Sequence, residues 1–461
     1  MEALLKVFSY LSADGLNTAE LVCRSWWNAL SDELNCQALF SLAFRGYKFP
    51  PHSTPSSWKL ELRQRVHSLA SWSKFNFDHK LVELRNITTV DWEAQHAIVV
   101  ETNYQIGHLV QVVHLHTGLA KAERKFCRTG WRRIHQLCFE PSRFGCLVVC
   151  GEKQLGLLDL QLNHIRVPKQ PPKWASATHV FSSQQSLGAD IHNPTIAYLG
   201  NVGYLGLYSF ADDQLREFDL ARPYLNDLLP DRYFDPSSGT LHFHLYIQQV
   251  EPFQNGFLVR GHYHGHHAVG VLWYIDEDYS CRCIYTGPHF PNNLTALKNF
   301  ALVEFFNVEE QNSYVSRFLP QGDQIHQIGL GTLRAANENF LCIGCDIKAP
   351  SDSCSYLISV WSGSTLELLW QAHVEERYVN MACNSFVLLG ETWNHLYIYD
   401  IISGGLLNKV PLGPYCLGHA LHGIRLSPGP SPRVFGNLDE VSVIYGVPSS
   451  SSEQGIDPTA A

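Results

Sequence analysis

Residues 1–40, MEALLKVFSYLSADGLNTAELVCRSWWNALSDELNCQALF, decide how the rest of the chain is read. Leu4, Leu5, Phe8 and Leu11 recur at helical spacing and predict a first helix with one apolar face. Asp14 and Gly15 supply the turn chemistry that would end it. Asn17 or Thr18 is placed to cap a second helix, with Glu20 or Leu21 in its first turn. Its apolar stripe runs through Leu21, Val22, Trp26, Ala29 and Leu30. Ser31 ends that helix or caps a third, which carries Leu34, Ala38 and Leu39. A unit this small buries little on its own, since chains below about 40 residues rarely fold without help. Its surplus apolar surface calls for a cover. The cover is either a partner protein or the remainder of this chain, on which the helices would sit as a cap.

The same residues resemble an F-box. Leu4-Leu5-Lys6-Val7-Phe8-Ser9-Tyr10-Leu11 is similar to its leucine-rich opening helix with a Phe-Ser-Tyr-Leu-like end. Leu21-Val22-Cys23-Arg24-Ser25-Trp26 is similar to its Val-Cys-Arg-x-Trp segment, and Ala38-Leu39-Phe40 to its closing aromatic. The Leu-Pro that opens the family pattern does not precede Leu4, and Phe40 stands where the family often has Trp. The resemblance implies docking on the Skp adaptor and, through it, on a cullin ligase of the SCF type. It assigns adaptor binding to Leu4, Leu5, Phe8, Leu11, Leu21, Val22, Cys23 and Trp26.

Beyond this head, GYKFPPHSTPSS (46–57) reads as a linker, and Trp58 to Trp72 as a helix joining two halves. From about residue 80 the texture changes to short β-branched and aromatic runs separated by polar turns. One type of run recurs: 109–118, 155–160, 205–210, 269–276, 314–319, 356–365, 395–404 and 441–447, taken as the second strand of a repeated unit. Their starts lie roughly 40–65 residues apart, the period of a four-stranded propeller blade. A lone blade exposes both faces of a small sheet, and stacking against neighbours buries them. The units resemble degenerate WD repeats. Tyr399-Asp400 stands for Trp-Asp and Ser403-Gly404 for the following Thr-Gly, with Leu158-Asp159, Val360-Trp361 and Thr117-Gly118 as partial echoes. The fold class expected is mainly β with an α-helical N-terminal domain: an F-box three-helix motif, then a seven- or eight-bladed WD-like β-propeller. The expected domains are 1–45 (F-box), 46–80 (linker and connecting helix), 81–447 (propeller) and 448–461 (disordered tail), the last polar throughout.

Composition agrees with a sheet-rich globular chain: 45% apolar residues, 12% aromatic, and 17% charged over 461 residues. The formal charge is −9, and residues 81–461 hold 25 basic against 36 acidic side chains. An acidic body lacks the footprint of nonspecific nucleic-acid binding. Thirteen cysteines without a framework fit free thiols, hence the cytoplasm or nucleus. No run is long enough to span a membrane. The start lacks a basic n-region, so it is not read as a signal peptide, and the sequons at Asn86 and Asn293 are taken as chance matches.

Four local features invite chemistry. Gly261-His262-Tyr263-His264-Gly265-His266-His267 could ligate zinc or copper, but its position between two predicted strands favours an exposed, metal-free loop. Cys342-Ile343-Gly344-Cys345 lies in a predicted strand, where residues three apart face opposite sides. Cys281-Arg282-Cys283 reads as strand packing. The stretch Lys121 to Arg133 is basic in an acidic region. There Arg128, Arg132 and Arg133 with Trp131 form a candidate anion site for a phosphorylated target, against the plainer reading of a solvated loop. No P-loop, nucleophile elbow or zincin helix is present. No cofactor or metal is expected. The reading is a non-catalytic substrate receptor, with a propeller scaffold lacking any ligase link, and a propeller enzyme, as alternatives.

Overall fold

The computed structural model describes residues 2–11, 13–44, 56–77, 80–85, 87–91, 96–103, 107–115, 117–127, 137–139, 146–150, 155–159, 161–166, 180–183, 195–199, 204–209, 213–220, 244–254, 256–264, 269–297, 299–319, 325–348, 354–374, 376–412, 422–427, 429, 432–438 and 441–446. The expected linker up to Pro55 and the tail from Pro448 lie outside them. The chain forms two compact units: Met1–Leu84 with Leu333–Ala461, and Arg85–Thr332.

Four helices, not three, build the head: α1 (Glu2–Phe8), α2 (Ala13–Val22), α3 (Arg24–Ser31) and α4 (Glu33–Ala43). Asp14 and Gly15, expected to break a helix, lie inside the first turn of α2. A second break falls at Cys23, where the backbone is extended, so the stripe 21–30 is split between two helices. Asp32, rather than Ser31, caps α4 by accepting a hydrogen bond from the Asn35 N–H at 2.9 Å. Helix α5 spans Trp58–Trp72 as the sequence predicts, with Ser57 Oγ accepting from the Leu60 N–H at 3.3 Å.

Among the described residues the strands form eight four-stranded sheets, where the sequence left seven or eight open. In chain order, sheets one to five cover 87–127, 137–166, 180–219, 244–287 and 290–330 and belong to the second unit. Sheet six (332–374), sheet seven (380–411) and sheet eight belong to the first. Sheet eight takes three strands from 422–446 and its outer strand, Lys80–Arg85, from the other end of the chain. Each of the eight apolar runs picked out in the sequence lies on the third strand of its sheet, not the second. In sheets one to seven that strand pairs antiparallel with the next strand in the chain, and polar turn residues mark its end in the sequence.

Register reveals the repeat more fully than the letters do. The third and fourth strands slip by one residue at Val112/Val113, Leu157/Leu158, Leu272/Trp273, Val315/Ser316, Val360/Trp361 and Ile398/Tyr399. Such bulges sharpen strand twist. Six connections between a third and a fourth strand carry one residue at positive φ, five of them beside a slipped pair: Gly118, Leu162, Asp213 (in sheet three, without a slip), Tyr279, Leu366 and Gly404. Only two of the six are glycine, so the repeat is degenerate in sequence while conserved in backbone shape.

Sheet seven shows how the turn is held. Asp400 accepts from the Ile402 N–H at 3.2 Å and from the Ser403 hydroxyl at 2.5 Å, and its carbonyl accepts from the Gly404 N–H at 2.9 Å. A Cβ on Gly404 would lie 2.7 Å from the Trp370 ring, at φ +70°. Gly404→Ala is expected to destabilise the chain by about 1–2 kcal/mol from backbone conformation alone, with the ring contact adding to it. Urea denaturation would measure this.

In the first unit, cores fill the spaces between sheets six and seven, between sheets seven and eight, and beneath α5. Trp72 and Phe75 are buried with Val387, Leu389, Ile398, Val410 and Val434 of sheets seven and eight. Cys342, Tyr356, Val360, Tyr378 and Tyr399 pack between sheets six and seven. There the Tyr378 and Tyr399 hydroxyls meet at 2.6 Å.

Candidate functional site

The head owes its shape to one apolar cluster. Leu5, Phe8, Leu16, Ala19, Ala29, Leu30, Leu39 and Phe40 are buried together with Leu62 of α5. Phe8 is 1% exposed, and Trp26 packs edge-on against it at 5.2 Å. Leu4, Leu11 and Trp26 are partly buried on the same cluster. Of the residues assigned to adaptor binding, Leu5 and Phe8 therefore support the head from inside, and Leu4, Leu11 and Trp26 flank its core. Leu21, Val22 and Cys23 are exposed.

The bundle does not use all its apolar side chains. Leu21 is 86% exposed and Tyr10 81%, and Val7, Val22, Trp27 and Leu34 are also open. Val7, Tyr10, Trp27 and Leu34 were not among the residues assigned to adaptor binding, Leu34 having been read only as an apolar position of the third helix. One signal was available: successive helical residues point about 100° apart, so Trp26 and Trp27 cannot share one face. With Trp26 turned inward, Trp27 has to look elsewhere. These six exposed apolar side chains all belong to one small helical unit.

Polar ties lock α5 to the head. Glu33 of α4 accepts from the Ser57 hydroxyl at 2.8 Å and from the Trp58 N–H at 2.5 Å. Glu20 of α2 pairs with Lys59 at 3.0 Å and with Arg63. The Ser57 hydrogen bond holds the Glu33 carboxyl below its ordinary value. A carboxyl more acidic in the folded than in the unfolded chain adds stability above the unfolded value of about 4.3, and that contribution is lost as pH falls through the lower folded value. Glu33→Gln is expected to lower the head's melting temperature near neutrality, where that contribution is whole, and to converge on the wild type well below about pH 4, which flattens the acid limb of its thermal melting. Beneath, burial pushes the Cys36 thiol up to about 11, and it donates to the Leu30 carbonyl at 3.3 Å. That thiol is inert packing.

The candidate anion site is divided. Arg128, Trp131, Arg132 and Arg133 lie outside the described residues. Within the described part, Lys121 and Lys125 are exposed, and Arg124 donates to the Leu162 carbonyl of sheet two and lies 5.6 Å over Phe126. Arg124 thus joins two sheets.

The histidine run is not a loop at its start. Residues 261–264 end the strand Gly256–His264, with Gly261 and Tyr263 buried. His262 stacks on Tyr246 at 5.6 Å and meets Phe290 edge-on at 5.8 Å. Residues 265–268 lie outside the described residues. Cys342 is buried in the strand Phe340–Lys348 while Cys345 is half-buried, and both are free thiols. Cys281 and Cys283 pack from the outer strand of sheet four against its core. Among the described residues no group of three or more His, Cys, Asp or Glu is placed to hold a metal ion. No helix among them is long and apolar enough to cross a membrane.

The F-box-like family profile matches residues 1–36. No curated protein matches. Among solved structures, BamB from Moraxella catarrhalis is similar at 10% identity and a TM-score of 0.46, covering 80% of this chain and 98% of its own. The WD40 domain of SCAP from fission yeast is similar at 11% identity and 0.45, covering 81% and 97%. Sqt1 of Saccharomyces cerevisiae is similar at 10% identity and 0.43, covering 81% and 97%. At such scores the propeller assignment rests on the strand pairing itself: eight four-stranded antiparallel sheets in chain order, the last completed by a strand from the other end.

Proposed function

We propose that this chain, an F-box-like head followed by WD-like propeller sheets, is a non-catalytic substrate receptor of an SCF-type ubiquitin ligase. The head docks on the Skp adaptor and through it on a cullin, and the sheets capture a target protein. The working division is residues 1–45 for docking, 46–80 for connection, 81–447 for capture and 448–461 as a tail. The observation that supports this best is the uncovered apolar surface of the head, around Leu21, Val22, Tyr10 and Trp27, on the segment that the F-box-like profile matches. Phe8 is covered by the head's own helices and not by the sheets, so a visitor still finds apolar surface.

Such a receptor accelerates ubiquitin transfer by proximity. Holding a target beside the charged enzyme converts an encounter in solution into one at high effective concentration. The compartment is the cytoplasm or nucleus. On the capture side, Arg128, Trp131, Arg132 and Arg133 are the proposed contacts for a phosphorylated segment.

Affinity capture with mass spectrometry, comparing the full chain with one lacking residues 1–45, tests the reading. The full chain is expected to recover adaptor and cullin, and the truncated chain to lose both while keeping its target. Recovery of adaptor by the truncated chain, or by neither, overturns it. An Arg132→Glu, Arg133→Glu variant is expected to keep the adaptor and lose the target. Unchanged target recovery moves capture to another surface.

A further inference from the structure

We propose that Arg65 is a positioning residue: it bolts the F-box-like head to sheet seven and thereby sets which lysines the ligase can reach. This rests on the receptor reading above. Arg65 lies in the middle of α5 and is 1% exposed. Its Nη2 donates to the Ser385 carbonyl at 2.9 Å, in the turn between the first two strands of sheet seven, and pairs with Glu61 at 3.3 Å. Its guanidinium carbon lies 5.8 Å from the Phe44 ring and 5.2 Å from the Phe386 ring. Phe44 follows α4 and packs on the head's core, whereas Phe386 belongs to the core of sheets seven and eight. One cation thus sits between an aromatic ring of the head and an aromatic ring of the sheet.

A second bolt lies beyond it. Asn408, on the outer strand of sheet seven, donates to the Phe75 carbonyl at 2.8 Å and to the Trp72 carbonyl at 3.4 Å. The opposite end of α5 is held by the head through Leu62 and the Glu20 and Glu33 ties. Helix α5 is therefore gripped at both ends by different bodies, and Arg65 touches both. An apolar side chain would fill the same space at a lower desolvation cost. What it would lack is direction: the Nη2 hydrogen bonds to Ser385 and Glu61 constrain angle as well as distance, while two apolar surfaces can slide. Helix α5 is about 22 Å long, so a small tilt at its sheet end moves the head by several ångströms.

The test uses the full chain with bio-orthogonal spin labels at two exposed positions, Thr18 on the head and Asn394 on sheet seven. Arg65→Met, Arg65→Lys and Asn408→Ala are compared with the wild type. The wild type is expected to give one narrow distance distribution, broadened in each variant, with adaptor capture retained. In a reconstituted reaction with adaptor, cullin and ubiquitin-charged enzyme, self-ubiquitination provides a readout that needs no known target. The set of modified lysines, mapped by mass spectrometry, is expected to shift in Arg65→Met and to return only partly in Arg65→Lys. An unbroadened distance in Arg65→Met overturns the bolt, and a broadened distance with the wild-type lysine set overturns the positioning role. Should Arg65→Met fail to fold, Asn408→Ala probes the same coupling from the sheet side, with the same two outcomes. If the wild type neither captures adaptor nor modifies itself, the receptor reading fails, and with it the positioning role. The distances then decide the mechanical coupling alone.

Discussion

Ile398→Asp is expected to abolish folding of the unit that contains it. Ile398 is fully buried, packed with Leu389, Leu396 and Val410 of its own sheet beneath Trp72 and Phe75. Its strand pairs on both sides, with Leu389 opposite on one and Asn408 on the other. An unpaired carboxylate in such a place costs several kcal/mol, a large share of the roughly 5–15 kcal/mol that holds an ordinary domain together. Ile398→Val, which removes one methylene and adds no charge, should cost only about 0.5–1.5 kcal/mol. Because sheet seven also carries the two bolts of α5, the damage should reach the head. The Asp variant is expected to show a lost cooperative melt by circular dichroism, low soluble yield and no adaptor capture. A melting curve that overlays the wild type would show that the side chain has escaped to solvent and that the sheet is built otherwise.

What was legible in the sequence was whatever depends on local pattern. Trp58–Trp72 could be bounded as a helix because a Pro/Ser-rich stretch precedes it and its apolar positions recur at helical spacing. The eight third strands could be found because each is an apolar run ending in turn residues. What stayed hidden depends on partners far away in the chain. The break at Cys23 has no side-chain cap and no Gly or Pro to announce it, so Leu21 to Leu30 read as one stripe. A core stripe and a docking stripe look the same in letters, since both are apolar at helical spacing. Only burial separates Leu30 from Leu21. Leu162, Asp213, Tyr279 and Leu366 hold the backbone shape that Gly118 and Gly404 hold elsewhere, which is why the repeat reads as partial. Nothing local in the sequence marks Arg65, because the carbonyl it binds is 320 residues away.

Leu21→Glu combined with Val22→Glu is expected to abolish adaptor binding while leaving the chain as stable as the wild type. Both side chains end α2 and project into solvent. Surface substitutions of this kind usually change stability by less than about 0.5 kcal/mol, and Glu is a good helix former. In a complex the same two positions would be covered. Losing the burial of two such side chains removes about 3–6 kcal/mol, roughly two to four orders of magnitude in Kd, before the cost of burying two carboxylates is added. Phe8→Ala would also lose binding, but for a different reason. It hollows the head's core at a cost of about 3–5 kcal/mol, so its effect on the adaptor is inseparable from unfolding. The surface pair is the sharper instrument because stability and affinity should part company. Titration calorimetry against purified Skp adaptor, with a melting curve on the same sample, reads both. Undiminished affinity in the double variant would place the docking surface elsewhere on the head, with Trp27 and Leu34 the next exposed apolar side chains to replace.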